Sequence, residues 1–107
     1  MKIAIYGRSF SDSALPYVQQ IFDYLAKYSI QPYVYEDFAQ FISGKIFFPQ
    51  KIEVFCNHEE LKKVDFLLSL GGDGTMLDSV ALVRDSQIPI IGINFGRLGF
   101  LASIGRT

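Results

Sequence analysis

Thiols are almost absent from this chain of 107 residues: Cys56 is the single cysteine, which excludes an internal disulfide. An apolar run long enough to cross a bilayer is missing as well, and so is the pattern of a signal peptide, so the chain is expected in the cytoplasm and away from membranes. Excess charge of one sign is lacking too. Ten Lys and Arg against eleven Asp and Glu leave a formal net charge of −1 with no basic run, which argues against a nucleic-acid surface and for a small-molecule partner. Histidine is represented by His58 alone; without a second His or Cys at ligand spacing, and with Glu59 and Glu60 after it, it reads as a solvent-facing helix start and not as a metal ligand. Only Lys51 and His58 bring basic character near Cys56, which reads as a packed thiol. Length is the last scarcity: one domain with one core, but little for a complete nucleotide-dependent enzyme, which ordinarily closes a second lobe over its substrate.

Against these absences stands one concentrated feature, Gly71-Gly72-Asp73-Gly74-Thr75. The run before it, Val64 to Leu70, reads as a buried strand. After it Met76, Leu77, Val80, Ala81 and Val83 recur at helical spacing, and Thr75 with Asp78 three residues on has the form of a capping box. The five residues are therefore a tight strand-to-helix turn. Glycine permits positive φ there and lets a ligand reach main-chain N–H groups with no Cβ in the way, while the first helical turn adds unpaired donors and a positive dipole end. Such a turn is a phosphate cradle. Asp73 within it would repel the anion the glycines attract, so it either holds a divalent cation or accepts a proton from a hydroxyl about to be phosphorylated. The blander alternative, Asp73 as a helix cap and the glycines as a turn and nothing more, fits a generic Gly-Gly-Asp better than this complete pentapeptide in strand-to-helix context.

Elsewhere the chain alternates buried runs with helical stripes. Met1 to Tyr6 is a strand, Gly7 to Ser11 a loop of small and polar residues, and Ser11 or Ser13 is placed to cap a helix whose apolar face is Leu15, Val18, Ile21, Phe22 and Leu25. Pro16 is tolerable within the first turn. A second strand, Pro32 to Glu36, completes a βαβ unit with parallel strands. From Asp37 to Leu61 the pattern is least regular: a short helix ending near Gly44, a stop at Pro49, and Ile52 to Phe55 as a brief strand or an extended link. Its phenylalanines are read as core filling, the sharper alternative being an interface with another subunit or lobe. Ile88 to Asn94 is a further buried strand leading into Phe95-Gly96-Arg97-Leu98-Gly99-Phe100. By chemistry alone Phe100 is more readily core than a stacking partner for a base, and Arg97 is open between a phosphate contact and a solvated loop residue. The expected fold is a doubly wound, mostly parallel α/β sheet with the loops after Tyr6, Leu70 and Asn94 at one edge.

Gly71-Gly72-Asp73-Gly74-Thr75-Met76-Leu77, followed by Gly92-Ile93-Asn94-Phe95-Gly96-Arg97-Leu98-Gly99-Phe100-Leu101, resembles the amino-terminal domain of the bacterial NAD kinases, over Met1 to about Ile104. The first motif is shared with diacylglycerol and sphingosine kinases and, loosely, with phosphofructokinases; the second separates them. The resemblance implies a Rossmann-like, phosphofructokinase-like domain that phosphorylates the adenosine 2′-hydroxyl of NAD to give NADP, with ATP as donor and Mg²⁺ or another divalent cation. It implies Asp73 as the catalytic base, nucleotide contacts at Gly71, Gly72, Gly74, Thr75, Leu77, Asn94 and Phe100, and it reverses the reading of Phe100 toward the adenosine part of NAD. Arg97 stands where family members vary. The family's Asn-Glu motif and most of its NAD contacts belong to a carboxyl-terminal β-rich domain, so residues 1–107 are expected to be the amino-terminal half of a site, inactive alone, in a protein that is a homo-oligomer at full length.

Two other classes compete with that expectation. A lipid or sugar kinase domain shares the phosphate turn but calls for a different strand and turn after Ile93. A non-catalytic nucleotide-binding module requires Asp73 to be dispensable.

Overall fold

Alternation along Lys2–Gly7 (β1) builds the molecule outward in two directions, Ile3 and Ile5 entering one apolar cluster and Ala4 the other. The computed structural model describes residues 1–8, 10, 12–57, 59, 61, 64–83 and 88–94. Four more strands, Gln31–Tyr35 (β2), Glu53–Phe55 (β3), Phe66–Gly71 (β4) and Ile90–Asn94 (β5), complete a parallel sheet in the order β3-β2-β1-β4-β5. The helices are Leu15–Lys27 (α1), Glu36–Ile42 (α2) and Asp73–Val83 (α3).

The chain runs from β1 toward β2 and β3 on one side of the sheet and from β4 toward β5 on the other. With right-handed crossovers, that reversal sends the following helices to opposite faces. Val18, Phe22 and Leu25 of α1, with Phe38 and Ile42 of α2, pack on Ile3, Ile5 and Leu70. Val83 of α3 joins Ala4, Leu67, Phe55 and Leu61 on the other face. The expected doubly wound α/β architecture is the one observed. Phe22, Phe38 and Phe55 are each about 1% exposed, and burial of side chains of this size is worth roughly 1.5–3 kcal/mol apiece.

Local details depart from the sequence expectation in three places. α1 is entered from a 3-10 turn, Asp12–Ala14, with Ala14 at the N-cap and no side-chain capping bond, so Ser13 lies in the turn and does not cap; Ser11 lies outside the described residues. Pro16 does sit in the first turn. On α3 the buried stripe is Thr75, Ser79 and Val83, while Leu77 and Val80 are 71% and 52% exposed. The apolar residues that announce this helix are thus partly on its outer face. Cys56 is exposed, not packed: it follows Phe55, whose side chain is the one β3 turns inward. His58 lies outside the described residues.

The segment hardest to read from sequence is tied down by glutamines. Gln19 of α1 clasps the backbone of Phe47 through two bonds, its Nε2 donating to the carbonyl and its Oε1 accepting from the N–H, both at 2.7 Å. Gln50 Nε2 donates to Ile30 O at 2.7 Å, and Gln31 Nε2 to Lys51 O at 3.1 Å. Gly44, at φ +83°, turns the chain after α2. Of the phenylalanines here, Phe38 and Phe55 are core, Phe41 and Phe48 pack against it, and Phe47 faces outward.

Two buried glycines separate rigid from compliant neighbours. A Cβ on Gly7 would lie 2.6 Å from the ring of Phe38, itself locked in the core, whereas a Cβ on Gly92 would meet the terminal methyl of Met76. Gly7→Ala should therefore cost about 1–3 kcal/mol. Gly92→Ala should cost less than about 1 kcal/mol, since the thioether can swing aside and alanine restricts the unfolded chain. Equal losses in urea melts of the two variants would contradict this distinction.

Candidate functional site

The point where the sheet reverses lies between β1 and β4, whose carboxyl ends are in register with Gly7 opposite Leu70, while Gly71 stands opposite Asn94 of β5. In open parallel sheets that edge is where ligands collect. Gly71 leaves β4 at φ +152°, a region that effectively belongs to glycine, and a Cβ there would run into Thr75 Oγ1. Thr75 is 4% exposed; its Oγ1 accepts a long bond of 3.4 Å from Gly72 N–H, and its carbonyl accepts the Ser79 hydroxyl at 2.9 Å. The first main-chain bond of α3 runs from Met76 N–H to Gly72 O at 3.2 Å.

The helix therefore begins at Asp73, three residues before Met76, where the capping-box reading with Thr75 as N-cap places its first residue. Thr75 sits in its third position and reaches back toward Gly72, and Asp78 is not its partner. This geometry leaves the N–H groups of the first turn without an intrahelical acceptor. Neither Gly72 nor Gly74 has a positive φ, and among the described residues nothing lies within 4 Å of a Cβ built on Gly72. Packing does not require glycine at that position; the missing side chain keeps the outer approach clear.

A Cβ on Gly74 would have a single close neighbour, Arg8 Nη1 at 3.3 Å. Arg8 follows β1 directly, and its Nε pairs with Asp78 Oδ2 at 3.2 Å. Tyr6 donates its hydroxyl to the same oxygen at 3.3 Å. Burial, and then the Asp78 carboxylate, push the Tyr6 phenol above its ordinary range, with Arg8 pulling the other way. The phenol thus stays protonated and remains a donor. With the Arg8 and Asp78 side chains 59% and 40% exposed, such a pair is worth no more than about 1 kcal/mol. Its effect is to aim a guanidinium at the glycine turn.

On the other flank of β1, a cavity of about 320 Å³ opens between the ends of β1 and β2, lined by Tyr6, Gly7 and Arg8, by Tyr35, and by Asp37, Phe38 and Phe41 of α2. Phe10 backs the wall, its ring 5.2 Å from that of Phe41 in an edge-on arrangement, and Tyr6 and Tyr35 are 5.0 Å apart. Among the described residues no three His, Cys, Asp or Glu side chains gather to hold a metal ion.

The structure brings Gly71, Gly72, Asp73, Gly74, Thr75 and the backbone of Asn94 together at one edge. Leu77 is on the same helix and open to solvent. Arg97 and Phe100 lie outside the described residues. Sequence reasoning missed Tyr6, Arg8, Asp37 and Asp78. A basic residue immediately after an apolar strand and a glycine was a usable signal for Arg8; the signal of Asp78 was absorbed by its capping-box spacing.

Residues 3–107 match the family described as the ATP-NAD kinase N-terminal domain. The chain is 43% identical over 107 residues to an NAD kinase of Cytophaga hutchinsonii and 41% identical over 105 residues to one of Flavobacterium psychrophilum. These alignments cover 99% and 97% of the chain, which spans 37% and 36% of those relatives' lengths. Among solved structures, yeast NADH kinase complexed with NADH has a similar fold, with a TM-score of 0.68 at 23% identity over 94% of this chain and 33% of that one.

The Tyr6 environment has a pH signature. With its folded pKa raised above the unfolded value of about 10, Tyr6 contributes stability that is fully present below pH about 10 and is lost as pH rises through the folded value. Replacement by phenylalanine should remove the latest component of the tyrosine absorbance titration and make the alkaline fall in melting temperature shallower. Superimposable titrations of the parent and Tyr6→Phe would refute the assignment.

Proposed function

The chain belongs to the ATP-NAD kinase family, matching its amino-terminal domain, and from that premise we propose that the protein transfers the γ-phosphoryl group of ATP to the adenosine 2′-hydroxyl of NAD, giving NADP and ADP. The observation that carries the reading is the open glycine turn: among the described residues Gly72 has nothing over it and Gly74 only the Arg8 guanidinium, at the amino end of a helix. Phosphoryl transfer needs positioning and charge stabilisation more than covalent help. Main-chain donors of the turn and Arg8 supply both to phosphate oxygens.

In this reaction Asp73 takes the proton of the 2′-hydroxyl as that oxygen bonds to Pγ, and the bond from Pγ to the β–γ bridging oxygen breaks with its electrons leaving on ADP. Gly71, Gly72, Gly74 and Thr75 shape the turn that meets the phosphates. Leu77, Asn94 and Phe100 contact the nucleotide, and Arg97 is a further phosphate contact. The exposure of Leu77 suits an apolar contact that substrate covers. Mg²⁺ or another divalent cation would reach the turn on the phosphates of ATP and would neutralise their charge there. A carboxyl-terminal β-rich domain completes the site on this reading, and residues 1–107 alone turn over little NAD or none. The full-length protein is a cytoplasmic homo-oligomer whose partners are NAD and ATP, with neither nucleic acid nor membrane among them. Among the described residues no helix is long and apolar enough to cross a membrane.

Asp73→Asn in the full-length protein keeps size and capping ability but removes the basic oxygen. The kcat should fall about 10²- to 10⁴-fold, with the KM for NAD changing far less. A near-normal kcat with unchanged melting temperature would end the catalytic assignment.

A further inference from the structure

We propose that the cavity between the ends of β1 and β2 receives the base and ribose of the phosphoryl donor, a nucleoside triphosphate, whose polyphosphate passes Arg8 to reach the glycine turn. The inference rests on the kinase reading and assigns its two nucleotides to opposite flanks of the turn. In-line transfer requires donor and acceptor to approach the moving phosphoryl group from opposite sides. One flank of the turn is β5, where Asn94 pairs with Gly71; the other is β1, where Arg8 stands over Gly74. Arg8 lines the cavity as well as the turn, so the two are continuous through its guanidinium.

The lining has the polarity of a nucleotide. Tyr35 and Phe41 contribute half-buried rings to the lining, which suits a flat base held by stacking. Gly7 adds no side chain, and the Phe38 ring fills the space that a Cβ would take. Asp37 supplies an exposed carboxylate able to accept from both hydroxyls of a ribose, and it would repel phosphate. Arg8 is the basic member of the lining, and its tie to Asp78 through Nε leaves the rest of the fork for anions. Carboxylate and guanidinium therefore orient the ligand, with sugar toward α2 and phosphates toward α3. The volume of 320 Å³ lies at the lower end of the range of about 300–1,000 Å³ for ligand sites, enough for a base and ribose with the polyphosphate outside.

The test is calorimetric binding of the non-hydrolysable donor adenylyl imidodiphosphate with Mg²⁺, and separately of NAD, to the full-length protein and its Phe41→Ala and Asp37→Asn variants. Tyr24→Ala, on the exposed side of α1, serves as control, and melting temperatures verify folding. The inference expects donor affinity to fall at least tenfold in Phe41→Ala and several-fold in Asp37→Asn, with NAD affinity within twofold of the parent. Should Phe41→Ala not fold, Asp37→Asn, whose carboxylate is exposed, decides alone. Unchanged donor binding in the folded variants, or a loss confined to NAD, overturns the inference while leaving the kinase reading intact. The expected binding pattern in a protein that does not phosphorylate NAD would instead sink the kinase reading and keep the nucleotide cavity. A parent protein that binds no donor overturns both.

Discussion

The parallel pairing of β1 with β4, from Ile3 opposite Phe66 to Gly7 opposite Leu70, is the constraint on which the rest of the molecule depends. It joins strands separated by two helices and two other strands, so it must be specified by more than proximity. Lys2 and Asp65 help to set it: Lys2 N–H donates to the Asp65 carboxylate and Asp65 N–H to the Lys2 carbonyl, both at 2.8 Å. A slip of one residue would exchange Ile3 and Ile5 with Ala4 between the two layers, which the packing of Phe22 and Phe38 against one face does not allow. Once the pair is in register, the chain can extend the sheet only outward on either side, and the reversal at the middle follows.

That reversal separates the loops after β1 and β4 and lets their ends face each other. Arg8 and Asp78 are the residues that cross the gap, one from each side. Their attraction is weak because water reaches both, yet with the Tyr6 hydroxyl on the same carboxylate oxygen the guanidinium has a defined place. The proposed anion contact is better served by this than by a stronger buried pair, whose charges would be consumed by each other. It also offsets the local cost of placing Asp73 at a turn otherwise built to attract negative charge.

Helix α3 illustrates how a site constrains packing. It carries small, polar Thr75 and Ser79 inward, both satisfied by bonds within the helix or its turn, and exposes Leu77 and Val80. The strongly amphipathic α1, by contrast, buries Val18, Phe22 and Leu25 and has no part in the site's chemistry. More of the large buried side chains belong to α1, and the glycine turn stands at the amino end of α3.

Much of this was legible in sequence because it depends on neighbours along the chain. Apolar runs before Gly7, Gly71 and at Ile90–Asn94, the helical stripe of α1, and a glycine-rich strand-to-helix turn are local patterns, and backbone sterics and periodicity translate them directly into strands, a helix and a tight turn. The doubly wound class follows from their order. The placement of Arg8 beside Gly74, the shared hold of Tyr6 and Arg8 on Asp78, and the aromatic cavity formed with α2 were decided only by tertiary structure. Their members come from distant parts of the chain and meet because the order β3-β2-β1-β4-β5 puts β2 and β4 on either side of β1. Which face of α3 turned inward was decided there too, since hydrophobicity records a preference for burial and not the side on which a helix meets the sheet: Thr75, Ser79 and Val83 are buried while Leu77 and Val80 are exposed.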